Sequence, residues 1–161
     1  MFLYHMVIHN DLYENISPQI VLKEGLNYKT STKWYSKSAN LFPDLTERFR
    51  PANLPKWIDF KFAFGVHLEV EESPHYRFPV FSDKILVFDR DIASDLFAYI
   101  EDMYDGGKGR ITEGLPSKED LMKNYWASMT TLEDYLNNKP FNNPEVYIFE
   151  QVPANLIVYI E

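Results

Sequence analysis

The apolar residues of this chain fall in short runs, and the runs near its two ends have the length and composition of β-strands. Runs of this kind, rich in Val, Ile, Phe and Tyr and bounded by turn residues, are typical of buried or half-buried strands. The predicted strands cover residues 2–8, 57–70, 84–89, 145–149 and 155–160. The second of them is assigned on the alternation of Phe60, Phe62 and Phe64 with smaller or charged residues, with Gly65 as a bulge or a point of close approach.

Capping residues predict helices between the strands. These helices lie at residues 17–25, 91–104, 117–126 and 131–138. Ser17 and Asp91 are the expected N-caps of the first two, Gly25 ends the first, and Ser117 with Asp120 has the spacing of a capping box. The order strand, helix, strands, helices, strands predicts an α+β fold: a single domain over residues 1–161 with a mixed, mostly antiparallel sheet and flanking helices.

Composition limits the function classes. The chain has 161 residues, of which 45% are hydrophobic and 25% charged, as in one soluble globular domain. Its formal net charge of −8 argues against a general polyanion binder, because such binding needs clustered Lys and Arg. Cysteine is absent, which excludes disulfides, thiolate nucleophiles and Cys-ligated zinc. We find no signal-peptide pattern and no run of about 20 apolar residues, and we expect a cytoplasmic protein without membrane contact.

Common nucleotide-binding and hydrolase motifs are missing from the sequence. Neither a P-loop, a Gly-x-Gly-x-x-Gly fingerprint nor a Gly-x-Ser-x-Gly elbow occurs. No metal site is predicted, since His5 and His9 on one strand would lie about 13 Å apart, too far to share an ion. The acidic groups at residues 69–72 and 101–105 are interpreted as solvated faces.

A long excursion at residues 27–56 contains the locally basic part of the chain. It has no sustained hydrophobic period, and long ordered excursions of compact domains are often functional. Its basic residues are Lys29, Lys33, Lys37, Arg48, Arg50 and Lys56. They leave open whether a nucleic acid binds here.

Several short motifs occur in an order that points to a known family. They read Leu-Tyr-His, Leu-Lys-Glu-Gly-Leu, Phe-Gly-Val-His-Leu, Pro-Glu-Val-Tyr-Ile-Phe and Val-Pro-Ala-Asn-Leu-Ile, at residues 3–5, 22–26, 64–68, 144–149 and 152–157. Tyr76 follows the third motif, nine residues after His67. This order resembles the ADP-ribosyltransferase superfamily of the His-Tyr-Glu type, which includes bacterial toxins that target DNA. The resemblance implies that family's split sheet.

The resemblance also implies roles for individual residues. His5 would hydrogen-bond the nicotinamide ribose of NAD, and Glu145 would stabilise the oxocarbenium-like sugar as nicotinamide leaves. Gly65 and His67 belong to a strand that contacts NAD, and Tyr76 would stack on the nicotinamide ring. His67 departs from the family, which has a tyrosine at this position. The implied activity is transfer of ADP-ribose from NAD, as substrate, to a macromolecular acceptor, either a protein or a nucleic acid.

A second function, of a different class, also fits the composition. The net charge of −8, together with 11 Tyr and 3 Trp, is compatible with an acidic binding or inhibitor protein that engages a basic partner surface. The sequence leaves both functions open: an enzyme with Glu145 and His5 as catalytic residues, and a non-catalytic binding protein. It says nothing about oligomeric state.

Overall fold

Two antiparallel sheets form the frame of the fold in a computed structural model of the chain, which describes residues 1–34, 41–71, 73–104 and 106–161. The first sheet has the order β1 (Phe2–Met6), β5 (His75–Pro79), β9 (Val158–Ile160). The second has the order β4 (Phe64–Val66), β8 (Pro144–Ile148), β6 (Ile85–Asp89), β7 (Thr130–Thr131). A short separate pair consists of β2 (Tyr13–Glu14) and β3 (Lys33–Trp34).

The helices occupy the connections between these strands. They are α1 (Pro18–Glu24), α2 (Leu41–Arg48), α3 (Arg90–Tyr104), α4 (Lys118–Ala127) and α5 (Leu132–Asn138), with 3-10 helices at Phe60–Phe62 and Ala154–Leu156. The α+β class predicted from the order of elements is confirmed. Within the described ranges, no helix is both long enough and apolar enough to cross a membrane.

The two sheets meet between Tyr4 of β1 and His67, the residue that follows β4. The Tyr4 N–H donates to the His67 carbonyl at 3.0 Å, and the His67 N–H donates to the Tyr4 carbonyl at 2.7 Å. In the part of the chain that the structure describes, this bridge is the one backbone pairing between the sheets. The frame is therefore split, with β1 and β4 side by side at the junction.

The second sheet lies between two hydrophobic cores. Val146 and Ile148 of β8 belong to the first core, together with residues of β1, β5 and α1. Tyr147 packs against the second core, which α2, α3 and α4 complete. Because side chains alternate along a strand, Glu145 shares the face of Tyr147. The sheet is covered on both faces, which explains the uninterrupted apolar run in β6.

The predicted strand over residues 57–70 is largely wrong. The Asp59 side chain accepts a hydrogen bond from the Lys61 N–H at 2.9 Å, which caps the 3-10 helix at Phe60–Phe62. This turn leaves Phe62 52% exposed, whereas a regular strand would have placed the alternating phenylalanines on one face. Strand pairing is confined to β4, which pairs with β8.

Two further boundaries differ from expectation. The N-cap of α3 is Asp89, whose Oδ1 accepts a hydrogen bond from the Asp91 N–H at 3.0 Å. Asp91 instead accepts a hydrogen bond from Nδ2 of Asn143 at 2.9 Å, which ties α3 to the start of β8. The closing strand predicted at residues 155–160 is shortened to β9, because the 3-10 helix at Ala154–Leu156 precedes it.

The acidic group at residues 101–105 is only partly a solvated face. Asp102 is 7% exposed, and its Oδ2 accepts a hydrogen bond from the Gly109 N–H at 3.0 Å. This carboxylate fastens the glycine-rich turn after α3. Asp105 and Glu72, from the two acidic groups, lie outside the described residues.

The two serines predicted as helix N-caps differ in the structure, and this difference can be measured. Ser117 Oγ accepts a hydrogen bond from the Asp120 N–H at 3.1 Å, whereas the Ser17 side chain makes no capping bond to α1. We expect Ser117→Ala to lower the free energy of unfolding by about 1 kcal/mol, a typical N-cap loss. Ser17→Ala, the matched control, should change it by a few tenths at most. Urea denaturation of both variants checks this, and equal losses would contradict it.

Candidate functional site

A cleft of about 510 Å³ opens at the junction of the two sheets. It is lined by β1, β4 and β8 and by the first residue of α3, and it has the size usual for a small-molecule site. His5, Gly65, His67 and Glu145 all line it. Residues that the resemblance selected at distant positions of the chain are thus placed around one cavity.

His5 lies at the junction of β1, β4 and the segment before β3, and it is only 5% exposed. The Thr32 N–H donates to its Nε2 at 2.9 Å, and its Nδ1 lies 2.8 Å from the Gly65 carbonyl. Since the amide must donate to Nε2, the ring proton is on Nδ1 and is donated to Gly65. Burial, opposed by the Gly65 hydrogen bond and aided by the nearby His67, lowers the pKa of His5 to about 4.

This geometry changes the role expected for His5. Its imidazole is neutral, its tautomer is determined by two hydrogen bonds, and both ring nitrogens are occupied. The hydrogen bond to a ribose that the resemblance implied would require one of these bonds to break. As placed, His5 fixes the cleft floor by joining β1 to β4 and to Thr32, whose hydroxyl donates in turn to Asn15 Oδ1 at 2.7 Å.

Gly65 and His67 form the β4 wall of the cleft. A Cβ built on Gly65 would meet its nearest neighbour, the Val146 carbonyl, only at 4.0 Å, so the strand does not require glycine for close approach. His67 is half-buried, and its Nδ1 lies 2.9 Å from Glu71 Oε1. Glu71 was interpreted as part of a solvated face. It is exposed, but it also lines the cleft beside His67.

Tyr76 does not reach the cleft. It is 2% exposed and packs in the first core, with its ring parallel to that of His5 at 6.4 Å and tilted against that of Tyr159 at 5.2 Å. Burial raises its pKa to about 12. The reason is register: Tyr76 pairs with His5 across β1 and β5, on the side of β1 away from β4. Stacking of Tyr76 on a ligand in the cleft is not available in this arrangement.

Glu145 presents a carboxylate to the cleft from β8. It is half-buried at the start of β8, where Tyr147 donates a hydrogen bond to its Oε1 at 2.9 Å and Tyr125 donates to its Oε2 at 3.0 Å. Burial raises its pKa, while the two tyrosine hydrogen bonds and the Arg90 guanidinium act to lower it. The hydrogen-bond partners of Glu145 are therefore two tyrosine hydroxyls.

Sequence reasoning missed three residues of this site: Arg90, Tyr147 and Tyr125. A signal existed for Tyr147, which stands two positions after Glu145 in a predicted strand and so shares its face. No local signal marked Tyr125, which comes from α4 and is fully buried. Arg90 is exposed on α3 and lines the cleft as well as an adjoining cavity of about 610 Å³. His67 and Glu71 also border both cavities.

The basic residues of the excursion at 27–56 do not all point outward. The Arg50 guanidinium donates to the carbonyls of Ile58 and Pro55, the latter at 2.6 Å, and it forms an ion pair with Glu47 at 3.7 Å. Its hydrogen-bonding capacity is thus largely used within the fold. Lys37 lies outside the described residues.

The buried neutral state of His5 predicts a specific acid sensitivity. The unfolded chain takes up a proton at His5 below its ordinary pKa of 6.5, whereas the folded chain does so only near 4. The free energy of unfolding therefore decreases as the pH falls from about 6.5 to about 4, and His5 accounts for about 3 kcal/mol of that decrease. We expect His5→Gln to be less stable at pH 7 and to lose correspondingly less stability between pH 7 and 4. Exposed His9→Gln should keep the wild-type slope, and an imidazole of His5 that titrates near 6.5 by NMR would contradict the assignment.

Among the residues that the structure describes, no group of three or more His, Asp or Glu side chains is arranged to hold a metal ion. Comparison of the chain with models of protein families, with curated proteins and with solved structures finds no match.

Proposed function

We propose that this protein transfers ADP-ribose from NAD to a macromolecular acceptor. The observation that carries the proposal is the convergence of His5, Gly65, His67 and Glu145 on one cleft. These residues were selected from motif order alone, and they come from three parts of the chain: β1, β4 with the residue after it, and β8. A split pair of sheets with a carboxylate on one side and β1 on the other is also what the resemblance implied.

Glu145 is the proposed catalytic residue. In the reaction the bond between nicotinamide nitrogen and ribose C1′ breaks, nicotinamide leaves with the bonding electrons, and the sugar develops oxocarbenium character. The ionised Glu145 carboxylate stabilises that positive charge from a fixed position, the kind of preorganised electrostatic effect that usually dominates catalysis. A nucleophilic atom of the acceptor then bonds to C1′ and loses its proton.

His5 acts in this proposal through position rather than by contact with the reacting atoms. Its two hydrogen bonds hold β1 and β4 together at the cleft floor. His67, half-buried on the wall, takes the place of the tyrosine that the resemblance expects, and its imidazole can pack against the nicotinamide ring. The adjoining cavity of about 610 Å³ adds room for the remainder of the dinucleotide or for an acceptor group.

The proposed function predicts that NAD binds to the folded protein. A ligand that binds only the folded chain adds about 2.7 kcal/mol to the free energy of unfolding at 100 times its dissociation constant. We therefore expect NAD to raise the melting temperature of the wild-type protein and of Glu145→Gln, because the amide keeps the shape of the cleft. No shift with NAD, together with salt-sensitive association with a basic protein, would favour the non-catalytic acidic binding protein instead.

The proposed function also predicts that removal of the Glu145 carboxylate strongly reduces the transfer of ADP-ribose. With NAD labelled in its adenylate phosphate, and with protein and oligonucleotide acceptors offered separately, we expect Glu145→Gln to reduce labelling by about 10²–10³-fold, the usual loss for one transition-state electrostatic contact. Glu133→Gln, an exposed carboxylate on α5 outside both cavities, is the matched control. Equal labelling by wild type and Glu145→Gln would rule out the assigned site. The acceptor that becomes labelled identifies the acceptor class.

A further inference from the structure

Each carboxylate oxygen of Glu145 has its own tyrosine donor, and the donors come from different elements. Tyr147 is two residues further along β8, whereas Tyr125 reaches the site from α4. The distances, 2.9 Å to Oε1 and 3.0 Å to Oε2, are both within ordinary hydrogen-bond range. A carboxylate with two different donors has both its torsion and its position defined.

Tyr125 has little freedom to move. Its side chain is fully buried, and its ring stacks on Phe88 of β6 at 4.9 Å with an interplanar angle of 15°. Phe42 of α2 packs edge-on against the same ring at 5.4 Å. The only polar atom of a side chain so enclosed is aimed at Glu145. Packing alone does not require that hydroxyl, because phenylalanine would fill the same space.

Tyr147 is supported in a similar way, by an edge contact to Phe60 at 5.1 Å. Tyr125 is also fastened through its backbone, since its carbonyl accepts a hydrogen bond from Ser128 Oγ at 2.6 Å. The same Ser128 Oγ accepts a hydrogen bond at 3.0 Å from the N–H of Asp89, which is the N-cap of α3. The two hydroxyls are thus carried by a rigid aromatic layer that spans α4, β6 and β8.

We propose that Tyr125 and Tyr147 are positioning residues that clamp the Glu145 carboxylate at the cleft and keep it charged there. The clamp uses one lone pair on each oxygen, and an ionised carboxylate can accept about two further bonds, which remain available to a ligand. The inference rests on the proposed function only where it assigns a catalytic role to Glu145. The two hydrogen bonds of the clamp are independent of that role.

The electrostatics of the site explain why a clamp is needed. Burial is the largest influence on the pKa of Glu145 and raises it, because desolvation disfavours the charged carboxylate. The hydroxyl donors oppose this, together with Arg90 of α3. Across the cleft stand neutral His5 of β1 and the His67–Glu71 pair. Burial also raises the pKa of Tyr125 and of Tyr147 well above 10, so both remain protonated donors at neutral pH.

Tyrosine-to-phenylalanine variants test the clamp, because they remove a hydroxyl and keep the ring. In Tyr125→Phe and in Tyr147→Phe we expect the acid limb of the transfer rate to move to higher pH. At a fixed pH on the acid limb we expect kcat to fall roughly tenfold, the worth of one hydrogen bond to a charged group, with KM nearly unchanged. Tyr99→Phe is the matched control, since its hydroxyl donates to the Pro116 carbonyl at 2.6 Å and the residue lines neither cavity. An unmoved limb, or an equal movement in the control, would overturn the clamp.

A second measurement keeps the clamp testable without any enzymatic activity. The difference in unfolding free energy between the chain with Glu145 and its Glu145→Gln variant is followed from pH 4 to 8, in the wild-type and in the Tyr125→Phe background. Ionisation of a buried carboxyl with a raised pKa costs stability, so the Glu145 chain weakens relative to the Gln variant as pH rises. Removing the hydroxyl should move the midpoint of that change upward.

The two readouts separate the clamp from the proposed function. A midpoint that moves in a protein with no transfer activity supports the clamp and counts against the transferase. Transfer activity with an unmoved midpoint and an unmoved acid limb supports the transferase and overturns the clamp. Circular dichroism and thermal melting of each Phe variant check that the aromatic layer is retained. We expect it to be retained, because substitutions that conserve the shape of a side chain are usually tolerated in a core.

Discussion

The arrangement of the whole site depends on one buried imidazole. His5 accepts a hydrogen bond from the Thr32 amide and donates one to the Gly65 carbonyl, and it thereby links β1, β4 and the segment before β3 beside the backbone bridge between Tyr4 and His67. A charged imidazole could not accept from Thr32, because both its nitrogens would be donors. The cleft floor therefore requires a neutral histidine, and burial keeps it neutral.

The carboxylate on the other side of the cleft presents the opposite problem. In the proposed reaction Glu145 must be charged to stabilise a cation, yet the sheet that carries it is covered on both faces by hydrophobic core. Desolvation thus opposes the proposed role of this residue, and hydroxyl donors that reach it from the second core act against that effect. That core has two tasks. It stabilises the second sheet, and it supplies a rigid support for a polar group at its rim.

Much of the fold was readable from the sequence, because local signals and tertiary packing agreed. The Ser117 capping box, the glycine that ends α1 and the buried run of β6 all behave as their residue types predict. The prediction of a strand over residues 57–70 was wrong because the Asp59 side chain caps a 3-10 helix there, in competition with an extended backbone. The hydrophobic periodicity of a sequence carries no information about such a hydrogen bond.

The candidate site was readable only in part, for a related reason. Motif order selected residues on β1, β4 and β8, and register brought them together. Tyr76 was selected by the same order, but antiparallel pairing with β1 placed it behind His5 in the core. The Tyr125 hydroxyl had no counterpart in any local pattern. Its proximity to Glu145 is created by the packing of α4 on the second sheet, which is a long-range property of the fold.

The cleft combines a histidine and a carboxylate whose pKa values are shifted in opposite directions. Burial lowers the pKa of His5 to about 4 and raises that of Glu145, so each residue is shifted away from its charged form. Folding gains nothing from either shift, since both are costs of desolvation that apolar side chains would avoid. Opposed shifts around a single cavity are more typical of a functional site than of a structural one. The hydrogen bonds of His5 preserve a neutral linker between β1 and β4, and those of Glu145 favour the charged carboxylate on which the proposed reaction depends.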